Sequence, residues 1–278
     1  MHDVSSPPNS RENLPLFFGL VFLISLPIYY LASFVAGEMV MLVGLVLALA
    51  PILAGLILVF RENGSDGVKS FLRRSFDYKR ITNKIWYLPI LFFWPVLFSL
   101  ASGVLSLMGE TTPDPLFPIL AAPILFVLFF IFALFEELGW MGYAFEPMQE
   151  RWKALKAGLL LGIIWGLWHI PMYILAGQEP QWIIWQVISL ITIRILIVFI
   201  FNNTGKSVLG TILFHAAYNL CTLSFTSFYT STGHLVTSLL IIITTIAVIL
   251  LWDSKTLTQF RFCRREPARL LNPPQRRC

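Results

Sequence analysis

The feature that most limits what this chain can become is a succession of eight apolar runs, each about as long as a bilayer is thick. They fall approximately at residues 15 to 36, 39 to 60, 86 to 108, 116 to 140, 157 to 175, 182 to 201, 207 to 229 and 234 to 252. A helix rises about 1.5 Å per residue and the hydrocarbon slab is roughly 30 Å thick, so about 20 apolar residues suffice to cross it. The chain is 57% hydrophobic and only 13% charged, with a mean hydropathy of +0.75, far too apolar for an ordinary soluble domain. The expected fold is all-α, a polytopic membrane bundle of about eight transmembrane helices, with no room for a separate soluble domain. Residues 1–14 read as a cytoplasmic tail, 15–252 as a single bundle and 253–278 as a basic cytoplasmic tail.

Short cytoplasmic loops collect Lys and Arg, so the basic residues set the orientation. Nineteen of the 20 fall in the two tails and in the loops after the second, fourth and sixth runs, where Arg61, Arg74, Arg151 and Lys206 are examples. The alternate loops, around Glu38, Glu110 to Asp114, Glu179 and Gly233, hold none. Both termini are therefore expected on the cytoplasmic side of the cell membrane. The net charge of +5 then reflects topology and attraction to anionic headgroups of the lipid bilayer, with no need for a nucleic-acid partner. The first run follows a polar tail without a basic n-region or a small-residue cleavage pattern, and reads as a retained span.

Between the second and third runs, Val68, Phe71, Leu72 and Phe76 recur among basic residues, which predicts a short amphipathic helix anchored on the cytoplasmic surface. The tail from Arg264 to Cys278 has no periodic apolar face and is expected to be disordered. Cys221, Cys263 and Cys278 show no metal or disulfide spacing. No internal repeat of the kind common in transporters is visible.

Polar residues inside the runs carry the chemistry. Arg194 lies in the sixth, and Glu136 and Glu137 lie toward the cytoplasmic end of the fourth. Each charge at a helix centre costs roughly 2.5 to 3.5 kcal/mol on insertion scales, so such residues need a reason. His169 joins them in Trp165-Gly166-Leu167-Trp168-His169, and His215 in His215-Ala216-Ala217-Tyr218-Asn219. Residues four apart share a helix face, so Trp165 pairs with His169 and His215 with Asn219. Chain direction lets all of them meet in the cytoplasmic half to middle of the bilayer. A carboxylate base, a second carboxylate, two imidazoles and an amide suit activation of water and stabilisation of an oxyanion. Ser189, Ser207 and Ser224 do not sit in a nucleophile-elbow sequence. Taken singly, each His is more often a packing residue, each Asn interhelical glue, and Trp140, Trp165 and Trp168 core or interface aromatics.

The three segments together resemble the CPBP family, the CAAX protease and bacteriocin-processing group of intramembrane proteases. Its pattern is a double glutamate followed by three residues and an arginine, then an aromatic and a histidine separated by three residues, then a histidine and an asparagine or similar residue separated by three residues. Here these read Glu136-Glu137-Leu138-Gly139-Trp140-Met141, Trp165 to His169 and His215 to Asn219, and Asn202 to Leu209 is similar to the family's lead into its last motif. The resemblance implies a protease-like core at about 116–229, an endopeptidase acting on membrane-associated or lipidated peptides or proteins, and a water-filled cavity open to the cytoplasm. By resemblance Glu136 is the general base, assisted by His169, while His215 and Asn219 stabilise the oxyanion and Glu137 supports the site. Met141 replaces the family arginine and leaves Glu137 without its local partner; Arg194, the one intramembrane cation, is the candidate to balance it. No cofactor is required on this reading. Zinc held by His169, His215 and Glu136 is the close alternative, although no H-E-x-x-H helix is present. Met141 also keeps open a non-catalytic immunity or partner-binding protein. A transporter is a weaker alternative, since no pair of broken helices is visible.

Overall fold

The structure, a computed structural model, describes residues 13–34, 40–111, 113 and 116–262. The chain forms α1 (Leu14–Ala32), α2 (Val40–Arg73), α3 (Tyr87–Leu107), α4 (Ala122–Glu137), a π-helical segment (Leu138–Phe145), α5 (Glu146–Trp152), α6 (Ala154–Leu175), α7 (Pro180–Asn203), α8 (Val208–Ser224) and α9 (Ser231–Leu251). Among the described residues the one β-type pairing is an isolated bridge between Trp252 and Phe260. The protein is a polytopic helical membrane protein. Among the described residues seven stretches are long and apolar enough to cross a bilayer. The eighth, α8, has 17 residues, about 25 Å of helix. Large apolar side chains such as Leu23, Ile124, Leu167 and Ile243 point outward and exposed, a surface that only lipid can satisfy.

Local and tertiary contacts fix the start of α8. Ser207 caps it by accepting from the Gly210 N–H at 3.1 Å, and the Asp77 carboxylate accepts from the Val208 and Leu209 N–H groups at 3.1 and 3.2 Å. A carboxylate on an orphan helix N-terminus is favoured by both hydrogen bonding and the helix dipole. Ser207 is thus committed to structure.

α2 has 34 residues, far more than a span needs, and turns at Gly64, whose φ of 62° suits glycine. The arm beyond the turn contains the amphipathic segment expected at Val68 to Tyr78, but it is more than an anchor. Leu72 and Phe76 are exposed as an anchor requires, whereas Phe71 and Arg74 are buried. Phe71 packs back on Gly55, where an added Cβ would lie 2.9 Å from its ring. Residues 253–262, expected as the start of a tail, instead fold onto the basic end. Leu257 is fully buried, the Ala154 N–H donates to the Lys255 carbonyl, and Asn202 and Asn203 donate to the carbonyls of Thr256 and Leu257 at 2.7 and 2.8 Å. Residues 1–12 and 263–278, which include the rest of both expected tails, and Glu38 and Asp114 lie outside the described residues.

Two devices place the polar residues. Gly158, Gly162 and Gly166 form a four-residue stripe that lets α6 and α7 touch: a Cβ on Gly162 would meet the Ile191 backbone at 3.0 Å and the Arg194 Cβ at 3.2 Å. The π-helical segment directly follows the two glutamates. In π geometry the Gly142 carbonyl would bond to the N–H five residues on, which is Pro147 and has none. Arg74 takes that place, donating to the Gly142 carbonyl at 2.7 Å.

Candidate active site

α4 delivers two adjacent carboxylates into different surroundings. Glu136 is 8% exposed and Glu137 fully buried. Glu136 accepts a 2.8 Å hydrogen bond from the Trp165 indole N–H, and it lines a cavity of about 320 Å³ together with Trp165, His169, His215 and Asn219. The four-residue spacings on α6 and α8 therefore do bring their members to one space.

Glu137 lies behind this wall. The Arg194 guanidinium on α7 donates to both of its oxygens, at 2.8 and 3.0 Å, and the same guanidinium lies 4.0 Å from the Trp165 ring centre. The His215 Nδ1 lies 2.9 Å from a Glu137 oxygen. A carboxylate can only accept, so Nδ1 carries the proton. This fixes the tautomer and orientation of His215 and leaves Nε2 as its working nitrogen. His169 is held likewise, its Nδ1 2.8 Å from the Trp165 carbonyl oxygen; the ring donates and keeps Nε2 free to accept. Trp165 is thus more than a core aromatic, since it touches Glu136, His169 and Arg194 at once.

Met141 is fully buried in the apolar core and is not among the residues lining the cavity. The cation facing Glu137 comes from another helix instead. In physical terms an arginine one turn away has been exchanged for one across the α6–α7 contact that the glycine stripe makes possible.

Sequence reasoning missed a polar wall opposite the glutamates. Gln186 on α7 is buried and donates to the hydroxyls of Tyr173 and Tyr218 at 3.2 and 3.4 Å. Its carbonyl oxygen is buried without a partner among the described residues, and the residue lines the same cavity, which makes it a candidate acceptor for a guest. An intramembrane Gln between Trp182 and Ile193 was the available signal.

The cavity extends toward one end of the bundle. Its rim is formed by Ala176 and Gln178 between α6 and α7 and by Tyr229 after α8, on the face away from the basic loops. His169 lies six residues from that end of α6 and fifteen from the basic end, about 9 Å against about 22 Å. Toward the basic end every residue from Glu136 to Met148 is buried. The hollow therefore reaches from the middle of the bundle toward the end away from the basic loops.

A helical membrane protein with a carboxylate, two oriented imidazoles and an amide around one intramembrane cavity belongs to a narrow class of folds, and comparison with known proteins narrows it further. The family described as Type II CAAX prenyl endopeptidase Rce1-like matches residues 118–221, the stretch that holds all these side chains. CAAX prenyl protease 2 of Methanococcus maripaludis is 28% identical over 231 residues, covering 76% of this chain and 84% of that protein. The chain is thus similar to CAAX-type proteases over the segment that carries the cavity-lining side chains.

Proposed function

We propose that this protein is an intramembrane endopeptidase that cleaves membrane-associated or lipidated peptides or proteins with water activated by Glu136. The observation that carries the proposal is the division of labour between the glutamates: Glu136 faces the cavity with one neutral donor on it, while Glu137 is sealed and neutralised by Arg194. A water between Glu136 and the His169 Nε2 loses a proton to Glu136 as its oxygen bonds to the scissile carbonyl carbon. The resulting oxyanion accepts from the Asn219 side-chain amide and from His215, which share one face of α8; for His215 to donate from Nε2, its ring must carry a proton on both nitrogens in that step. Glu136 then hands its proton to the leaving amine as the C–N bond breaks. Gln186 offers an acceptor for a substrate backbone N–H.

No step uses a metal. Among the described residues no group of three or more His, Cys, Asp or Glu side chains gathers as a metal site, and Glu136, His169 and His215 are the residues zinc would need. The non-catalytic reading rests on Met141, and the Arg194 contact to Glu137 weakens that ground. The positive-inside distribution supports a cell-membrane protein with both termini cytoplasmic. Cleavage of a mixed peptide library by the detergent-purified protein, read by mass spectrometry, tests the reading. Glu136→Ala is expected to lower the rate by at least about 10²-fold, with cleavage surviving a chelator. Sensitivity to the chelator moves the mechanism to zinc, and cleavage that survives Glu136→Ala removes Glu136 as the base.

A further inference from the structure

We infer that a second pocket, between the starts of α7 and α9, binds a phospholipid whose headgroup carries a phosphate and a primary amine, as in phosphatidylethanolamine. Trp182 separates this pocket from the catalytic one, and nothing about it depends on hydrolysis.

The pocket encloses about 520 Å³, and its lining joins Glu179, Gln181 and Trp185 at the head of α7 to Ser231, Thr232 and His234 at the head of α9. Its buried part is polar and unsatisfied. His234 is 1% exposed; the carbonyls of Trp182 and Phe228 approach its ring, yet neither ring nitrogen completes a hydrogen bond among the described residues, and neither does the buried indole N–H of Trp182. A buried donor or acceptor is costly without a partner, so these groups mark a place where a guest supplies one. Packing alone would be served by a phenyl ring, since His234 stacks on Trp182 at 4.3 Å and meets Phe228 edge-on at 4.7 Å.

Charge then selects the guest. Two helices begin at the pocket, and the free N–H groups of a first helical turn favour an anion. α7 has no side-chain cap, and on α9 Thr230 accepts only from the Gly233 N–H. The Ser231 and Thr232 hydroxyls add further donors. A phosphate fits this set. A bare anion does not fit the rest, because Glu179 is exposed at the rim and no basic side chain belongs to the lining; an ammonium beside the phosphate answers that carboxylate. Position supplies the remainder of the molecule. Trp182, Trp185 and Tyr229 gather at this end of the bundle, as aromatic residues do at headgroup depth. From the pocket, exposed Ile184 and Ile188 on α7 and Leu239 and Ile243 on α9 continue along the lipid-facing surface, where acyl chains lie.

Native mass spectrometry of the detergent-purified full chain tests this, with phosphatidylethanolamine, phosphatidylcholine and phosphatidylglycerol of identical acyl chains, beside the thermal midpoint with each lipid and with inorganic phosphate. The parent is expected to bind phosphatidylethanolamine about tenfold tighter than the other two, the size of one charge-assisted hydrogen bond. Glu179→Gln, at an exposed position, should fold normally and erase that preference. His234→Phe keeps the ring stack on Trp182 and removes both nitrogens, so it should weaken all three lipids while the lipid-free midpoint holds or rises. If that variant does not fold, Thr232→Val makes a like subtraction at a half-buried hydroxyl. Equal binding of the three lipids by the parent, or a preference that survives Glu179→Gln, overturns the inference. So does parental binding of every lipid by His234→Phe or by its substitute. Inorganic phosphate that raises the midpoint as far as phosphatidylethanolamine does assigns the pocket to a soluble anion and overturns the lipid.

Discussion

Two glutamates in this protein are each gripped by two basic side chains from elsewhere in the fold, at different depths. In the middle of the bundle Glu137 holds Arg194 and His215, with every partner at most 3% exposed. At the basic end Glu146 holds Arg74, 8% exposed, and Lys206, 43% exposed. The bonding is alike and the surroundings are not. Deep in the slab an unpaired charge has no water to turn to, so the ion pair is obligatory and can serve as a fixed support for a working imidazole. At the rim, Lys206 can return to solvent and only Arg74 is trapped, so the cluster acts as a closure for the packed end. The comparison predicts that damage to the deep cluster is read in both activity and stability, and damage to the rim cluster in stability alone.

Arg194→Met should break the comparison most severely. It leaves Glu137 with His215 alone, and removing one partner of a buried pair costs about 3–5 kcal/mol. Cleavage per folded molecule and the thermal midpoint in detergent are both expected to fall. Adding Met141→Arg, which restores a cation one turn from Glu137, should recover part of each. Wild-type activity and stability in Arg194→Met alone would show that Arg194 does not balance Glu137. Glu146→Ala comes next. Arg74 keeps its bond to the Gly142 carbonyl, so the expected loss lies near the lower end of that range, about 3 kcal/mol. Activity per folded molecule should be unchanged, because the cluster stands outside the cavity. A fall in that specific activity with a normal thermal midpoint would mean that the rim cluster is coupled to the site.

Gly162→Val sharpens the comparison from the side. The added Cβ presses on Ile191 and Arg194, and overpacking of this kind costs about 1–3 kcal/mol. Because the displaced element carries Arg194, the variant should lose activity beyond its loss of folded protein, which a plain packing defect elsewhere on α6 would not produce. Equal losses of both would assign the stripe to packing only.

What could be read without a structure follows from which interactions are local. The spans were legible because hydrocarbon imposes length and apolarity on each run separately, and Trp165 with His169, or His215 with Asn219, because helical spacing alone sets their shared faces. Arg194 stood out by its cost in the membrane, but its bond to Glu137 depends on how closely α6 and α7 approach. That in turn depends on Gly158, Gly162 and Gly166, whose spacing was readable and was overlooked. The π-helical segment was not legible in the same way: Pro147 forbids one hydrogen bond, yet only Arg74, more than 60 residues away in sequence, makes the vacant carbonyl tolerable. The cap on α8 was least legible of all, since Asp77 reaches it from a loop more than 100 residues away in sequence.

The smallest expected effect belongs to the 253–262 loop, which closes the basic end without any ion pair of the Glu146 kind. Burial acts to raise the Asp253 carboxyl, but hydrogen bonds from Gln259, Thr256 and Lys255 outweigh it and hold its pKa below the usual carboxylate value. A depressed carboxylate contributes stability above its unfolded pKa of about 3.9, and loses it as pH falls through the lower folded value. Asp253→Asn should therefore lower the thermal midpoint slightly at neutral pH, and the gap from the parent should close as the pH is brought from about 5 to below 4. The site is partly exposed, so the gap should be smaller than that of Glu146→Ala at every pH. A gap that stays constant across that range would show that the loop is held by the shape of its turn and by Leu257, with the charge on Asp253 contributing nothing.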